Sequence, residues 1–218
     1  MRDDRPVIVA TWNLHTLRDD VGALTRAVAN LGADVLCIQE PPRGRGARRR
    51  LREVLAPAGL TVVVQGGGAR STALAARPHL PVTRAWAVRL PWTGRTRRGA
   101  AVADVAGVRF VSAHLGLSAR DRARHVPHLL DLTRVPGPVI LGADLNQPPS
   151  GTARRALTAE LVDLATAAGP TFPAAAPGHA IDALLGRGVR ARAARTVRTP
   201  DVVAGSDHLP VVVEIEDP

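Results

Sequence analysis

Six short stretches place acids, amides and imidazoles where apolar patterning has no need of them. "VIVATWN" ends in Asn13, and "DVLCIQE" ends in Glu40 with two prolines following. "RFVSAHLG" delivers His114, "VILGADLN" delivers Asp144 and Asn146, and "HAIDALL" carries Asp182 among apolar neighbours. "GSDHLPVVVEI" presents Asp207 and His208 just before a final apolar run. Singly, each has an ordinary explanation. Asn13 suits a strand-end cap, Glu40 a solvated loop acid, His114 a satisfied structural histidine, Asp144 with Asn146 a turn, and Asp207 with His208 a loop. Asp182 is harder to dismiss, because a carboxylate in an apolar run needs a partner. If these positions share one rim, three acids (Glu40, Asp144, Asp207), a fourth at Asp182, two amides and two histidines converge. Carboxylates crowded in this way raise one another's pKa. A divalent cation and a phosphate are the natural way to stabilise such a cluster.

Holding those groups is the task of strands. In "PVILGADLNQPP", Val139, Ile140 and Leu141 are residues that a buried strand prefers, and Pro148 and Pro149 forbid its continuation. Asp144 and Asn146 are therefore fixed at a rigid rim. Further strand-like runs are "PVIVATW", "ADVLCIQ", "LTVVVQ", "STALAA", "GAAVADV", "GVRFVSAHL", "AIDALL", "VRARAARTV" and "LPVVVEIE". Several are continuous Val/Ile/Leu blocks, as expected for strands covered on both faces. Four helices are expected between them. "DDVGALTRAVANLG" sets Val21, Leu24, Val28 and Leu31 on one stripe, with Asp19 or Asp20 as cap and Gly32 as terminator. "RRRLREVLAPAG" follows, then "SARDRARHVPHLLDLTR", which Pro127 must kink or divide, and "SGTARRALTAELVDLATAAG". "QGGGARS" and "PWTGRTRRG" read as loops. The mixed order predicts two mainly β layers with helices packed outside, and one domain over residues 1–218.

Composition narrows the setting. The 218 residues suffice for a substantial core, which must be aliphatic because aromatics make up 2% and Tyr is absent. The single cysteine, Cys37, excludes an internal disulfide framework and fits a reducing compartment. "MRDDRPVIVATWN" has no long apolar stretch after a positive region, so no signal peptide is expected, and no run is long enough for a membrane helix. A cytoplasmic monomer is the expectation. The net charge of +10 attracts polyanions. All 29 basic residues are Arg in an Ala- and Gly-rich chain, so compositional bias is an equal explanation. "PPRGRGARRRLREVL" is either a phosphate-facing loop entering a helix or a solvated surface.

The ordered set "TWNLH", "LCIQE", "VSAHLG", "ILGADLN", "AIDALL" and "GSDHLP" resembles the endonuclease/exonuclease/phosphatase superfamily, with its DNase I-like fold. Any one motif is weak, but six in order across nearly the whole chain are specific. The resemblance implies an α/β fold: a four-layered α/β sandwich, two mainly antiparallel β-sheets packed face to face and flanked by helices. It implies a phosphoester hydrolase using Mg²⁺ or Mn²⁺. Carried over position by position, it makes Glu40 the main metal carboxylate, with Asn13 as ligand or orienter and Asp207 completing the metal environment or a second site. Asp144 would orient or deprotonate the attacking water, and Asn146 would hold substrate phosphate or fix Asp144. His208, held by Asp182, would contact the scissile phosphate, and His114 would approach it from the other side.

Other features stay bland. His15 lies close enough to Asn13 to line the same rim, while His79, His125, His128 and His179 match no motif position. "QGGGARS" lacks the ending of a P-loop, and Cys37 has no nucleophile signature. Ala180 and Ala183 replace residues that relatives use around Asp182, and the missing Tyr argues against a straightforward abasic-site repair enzyme. A nuclease acting on nucleic acid is the favoured expectation. A hydrolase of small or lipid-linked phosphates and a non-catalytic nucleic-acid-binding module are the alternatives.

Overall fold

A computed structural model describes residues 6–92 and 96–216. Residues 93–95 of the expected loop "PWTGRTRRG", and the two ends of the expected single domain, lie outside the described residues. Twelve strands form two six-stranded sheets. The first sheet is built from β1 (Val7–Asn13), β2 (Val35–Gln39), β3 (Thr61–Gln65), β4 (Thr72–Ala76), β11 (Ala191–Thr196) and β12 (Val211–Ile215), in the order β11-β12-β1-β2-β4-β3. The second is built from β5 (Val82–Arg89), β6 (Gly99–Val105), β7 (Val108–His114), β8 (Val139–Asp144), β9 (Val162–Asp163) and β10 (Asp182–Arg187), in the order β5-β6-β7-β8-β10-β9. Each sheet has one parallel pairing, β1 with β2 and β7 with β8, and the rest are antiparallel.

Three apolar clusters correspond to the three interfaces of a four-layered sandwich. Between the sheets, Val9, Val35, Cys37 and Leu74 meet Ala101, Phe110, Ile140 and Leu184. Outside the first sheet, Leu36 and Ile38 pack against α1 (Val21–Asn30), α2 (Ala47–Leu55) and α5 (Pro200–Gly205) through Leu24, Leu51 and Val202. Outside the second, Val111 and Leu141 pack against α3 (Ala119–Thr133) and α4 (Thr152–Thr158) through Leu129 and Leu157. The sheets approach tightly where Gly142 of β8 meets Cys37 of β2. A Cβ at Gly142 would lie 2.5 Å from the Cys37 Cβ, inside van der Waals contact. The missing side chain lets the two sheets approach just before β8 delivers Asp144.

Several local expectations change. Pro127 does not divide α3, which runs through it as one helix, because His125, Val126, Leu129, Leu130 and Thr133 bury a continuous face. The fourth expected helix stops at Thr158. Asp163 then pairs with Arg154 at 2.6 Å, and β9 joins the sheet edge. Val21 is exposed, and Ala23 and Ala27 join Leu24 and Val28 on the buried face of α1. Strand β5 had no apolar alternation to announce it, since it is an exposed edge strand. Helix α5 was also missed, although Thr199 as N-cap followed by Pro200 is a helix-start signal.

Candidate active site

Strand register assembles the centre. His114 of β7 pairs with Asp144 of β8, and Asp144 pairs with Asp182 of β10. Directly paired residues share a face of the sheet, so these three side chains form one row. Asn13, at the end of β1 in the facing sheet, donates from Nδ2 to Asp144 Oδ2 at 3.0 Å. His208 enters from the segment before β12. Its carbonyl accepts from Trp12 Nε1 at 2.8 Å, its backbone N–H donates to Ser206 Oγ, and Ser206 Oγ in turn donates to the Asn13 carbonyl. His114, Asp144, Asp182, Asn13 and His208 thus meet in one buried constellation, drawn from both sheets.

Each ionisable group has a distinct electrostatic setting. Burial works against the charged form of His208. The Asp182 carboxylate, 2.9 Å from Nδ1, outweighs it and raises the imidazole to about 9. Asp182 Oδ2 also accepts from Thr171 Oγ1 at 2.5 Å. The Phe172 ring covers His208 at 4.8 Å between centroids. Asp144 is raised to about 7, first by burial and then by the charge on Asp182. Its Oδ1 accepts from the Asn146 backbone N–H at 2.9 Å, which holds Asn146 in a left-handed turn at φ 50°. Asn146 Nδ2 donates to the Leu115 carbonyl at 3.0 Å.

His114 is driven well below its usual pKa, first by burial and then by the charge of Arg98. Arg98 carries the signal that sequence reasoning missed. Its guanidinium donates to His114 Nδ1 at 2.9 Å and to Ser71 Oγ at 3.3 Å. A guanidinium only donates, so Nδ1 must be the unprotonated nitrogen, and the proton sits on Nε2, 3.2 Å from Asp144 Oδ2. Thr171, Ser206 and Phe172 were missed as well. Buried polar contacts of this kind leave no periodic trace, and Arg98 is one of 29 arginines.

Glu40 and Asp207 sit outside the buried row. Glu40 is 24% exposed, and Oε1 lies 3.9 Å from His114 Nδ1. It adopts φ 46°, and its carbonyl accepts from Thr16 in a left-handed turn formed by His15, Thr16 and Leu17. Left-handed backbone costs L-residues about 1–2 kcal/mol each, so this loop is held by its surroundings. Asp207 Oδ1 lies 3.8 Å from His15 Nδ1, which also contacts Asp19 at 2.8 Å. His15, read as bland in the sequence, lines the rim and donates its backbone N–H to Asn13 Oδ1. By contrast, His125 satisfies both ring nitrogens with the Gly116 N–H and the Pro91 carbonyl, and His128 bonds Arg124.

Oxygen and nitrogen atoms of Asp144, Asp182 and His208 lie within 4.8 Å of one another, close enough to suggest a shared cation. Asp182 Oδ2 is already taken by Thr171 Oγ1 and His208 Nδ1, whereas Asp182 Oδ1 is buried without a hydrogen bond. At the rim, the partly exposed Glu40 carboxylate and Asp207, whose Oδ1 is also buried without a hydrogen bond, offer further carboxylate oxygens. Mg²⁺ takes oxygen ligands, needs only one or two carboxylates and keeps several waters, so the acids at this end of the sheets suit such an ion.

The architecture alone sets the fold class, a four-layered α/β sandwich with its polar row at one end of the facing sheets. Comparison with known proteins gives the family. The chain belongs to the Endonuclease/Exonuclease/phosphatase family, whose model matches residues 10–208, and this places it among phosphoester hydrolases. An endonuclease/exonuclease/phosphatase from Bacteroides vulgatus superposes with a TM-score of 0.81 at 15% identity, covering 97% of this chain and 99% of that one. A Bacteroides thetaiotaomicron mannosyl-6-phosphatase gives 0.77 at 16% identity, covering 96% and 99%. The human Nocturnin catalytic domain gives 0.71 at 17% identity, covering 96% and 94%. No curated protein matches the sequence. No helix among the described residues is long and apolar enough to cross a membrane.

Proposed function

We propose that the protein is a divalent-metal-dependent phosphodiesterase acting on nucleic acid, working as a cytoplasmic monomer. The observation that carries this reading is the pairing of opposed ionisation tendencies across one gap. Asp144 is tuned towards neutrality while His208, 3.9 Å away, is held as the imidazolium. A carboxylate with a pKa near 7 can accept a proton from water, and an imidazolium beside it can neutralise a phosphoryl oxygen. Asp144 is the base, oriented by Asn13 and by the Asn146 backbone. His208 is the phosphate contact, with Asp182 fixing its Nδ1 proton.

His114 supplies a neutral Nε2–H donor on the opposite side, and the Asn146 amide, with one N–H on the Leu115 carbonyl, has a second to offer phosphate. Glu40 would hold the cation, with Asp207 as its second acid. Asn13 acts as an orienter, since both ends of its amide are already engaged. The cation, when bound, supplies charge neutralisation at the phosphoryl group. The structural neighbours include a sugar phosphatase as well as Nocturnin, so the choice of nucleic acid rests on charge. Plasmid DNA, RNA and bis-nitrophenyl phosphate, compared with and without Mg²⁺ or Mn²⁺, test it. Cleavage of either nucleic acid supports the reading. Turnover of the small ester alone removes it in favour of a small-molecule phosphatase.

A further inference from the structure

Beside the centre lies an open groove of about 930 Å³, walled by the loop after Glu40, the first turns of α2, the Gln65–Ser71 turn and residues 96–97. Among the described residues lining it, Arg43, Arg48, Arg49, Arg52, Arg70 and Arg97 are cationic and none is acidic. Six arginines among sixteen lining residues, against 29 in 218 overall, is a concentration that composition does not supply. Arg49 is partly neutralised by Glu53 at 2.9 Å. The other five have no acidic partner among the described residues. Arg48 and Arg52 are one helical turn apart, so their side chains share a face of α2.

The groove is joined to the centre by covalent and hydrogen-bonded links. Its first wall begins at Pro41, the residue after Glu40. Ser71 accepts from the Glu40 N–H through its carbonyl at 2.9 Å and from Arg98 through its hydroxyl. Arg97 adjoins Arg98 in the chain and lies over the exposed Trp92 ring at 5.0 Å. Arg70 and Arg97 also line a second cavity that reaches Arg98 and Trp92. Arg43 is near enough for its charge to lower the basicity of His114. A guanidinium binds phosphate through paired, charge-assisted hydrogen bonds. A groove with five uncompensated arginines spread over three segments suits a row of phosphates.

We propose that this groove is a binding site for the non-scissile phosphates of a nucleic-acid strand, which it feeds to the His114–Asp144–His208 centre. The proposal rests on the nuclease reading above and adds the surface that would select for a strand. Binding of a fluorescein-labelled single-stranded oligonucleotide to the full chain carrying Asp144→Asn, followed by anisotropy across a salt series, tests it. Each phosphate contact contributes about 0.7 to the slope of log affinity against log salt on single strands. Adding Arg48→Glu and Arg52→Glu should weaken binding at least tenfold and reduce that slope by about 1.4. Arg48 and Arg52 are exposed, so the substitutions leave the core intact. The milder Arg48→Gln/Arg52→Gln pair, with circular dichroism, checks this.

The same charge reversal at Arg190, just before β11, and Arg192, within it, at the far edge of the first sheet, should leave the slope unchanged. Equal losses from both pairs would mean attraction by net charge alone and would overturn the site. An unchanged slope in the groove variant would also overturn it. Inorganic polyphosphate binding that depends on Arg48 and Arg52, without such dependence for the oligonucleotide, would reject the nucleic-acid source. The nuclease reading fails separately, if the native chain with Mg²⁺ or Mn²⁺ leaves the same strand uncut.

Discussion

Asp144 receives hydrogen bonds on both carboxylate oxygens and still sits near neutrality, because burial and Asp182 together outweigh them. Replacing it by Asn keeps the shape and removes the base, so turnover should fall about 10²–10⁴-fold without loss of folding. His208→Ala should cost as much, since both groups act on one phosphorus. NMR titration of His208 should place its pKa at about 9 in the native chain, falling towards the ordinary value in Asp182→Asn. The raised value has a sign for stability. The unfolded imidazole titrates near 6.5, so the stabilisation is complete below that pH and is lost as pH rises through about 9. Arg98→Met removes the donor to His114 Nδ1 and a charge that disfavours protonation. His114 should then take up a proton at higher pH than in the native chain, a shift that NMR reads directly.

At the scale of elements, the site depends on one close approach between the sheets and one contact within the first sheet. A methyl at Gly142 meets Cys37 across the sheet interface, and overpacking of this kind costs about 1–3 kcal/mol. Gly142→Ala should therefore lower the urea midpoint, and it should also reduce activity, because β8 carries Asp144 two residues further on. Trp12 reaches from β1 to the His208 carbonyl, a contact spanning 196 residues of chain. Trp12→Phe should lose about 1 kcal/mol of stability through the unsatisfied carbonyl. Its kcat should fall more than its KM rises, since the lost contact positions His208 and leaves the groove untouched.

Over the whole molecule, three apolar interfaces carry the fold and the polar row hangs at one end of the middle layers. The proposed cation donors, Glu40 and Asp207, are partly exposed at the rim, so metal removal should stop catalysis without unfolding the chain. EDTA should abolish phosphodiester turnover, with Mg²⁺ or Mn²⁺ restoring it. The thermal midpoint should change only by the modest amount that ligand binding to the folded state contributes. A chain that unfolds in EDTA would place the ion in the core instead.

Much of this was legible in local sequence. Continuous Val/Ile/Leu blocks gave strands covered on both faces, as β2 and β8 are, and turn or breaker residues after "VILGAD" and "DVLCIQ" marked where polar groups must stop being buried strand. The residue types at six strand ends were enough to single out His114, Asp144, Asp182, Asn13 and His208, because apolar patterning does not require any of them. Register and layer contact are different in kind. Nothing local says that His114 pairs with Asp144, or that Asn13 faces Asp144 across 131 residues, since those relations arise only when two sheets stack. Nor could composition tell Arg98, buried on His114, from the arginines that line the groove or face solvent. Periodicity follows from one strand's own geometry and can be read residue by residue. Which side chains desolvate one another depends on distant segments brought together, and that was settled only by the tertiary structure.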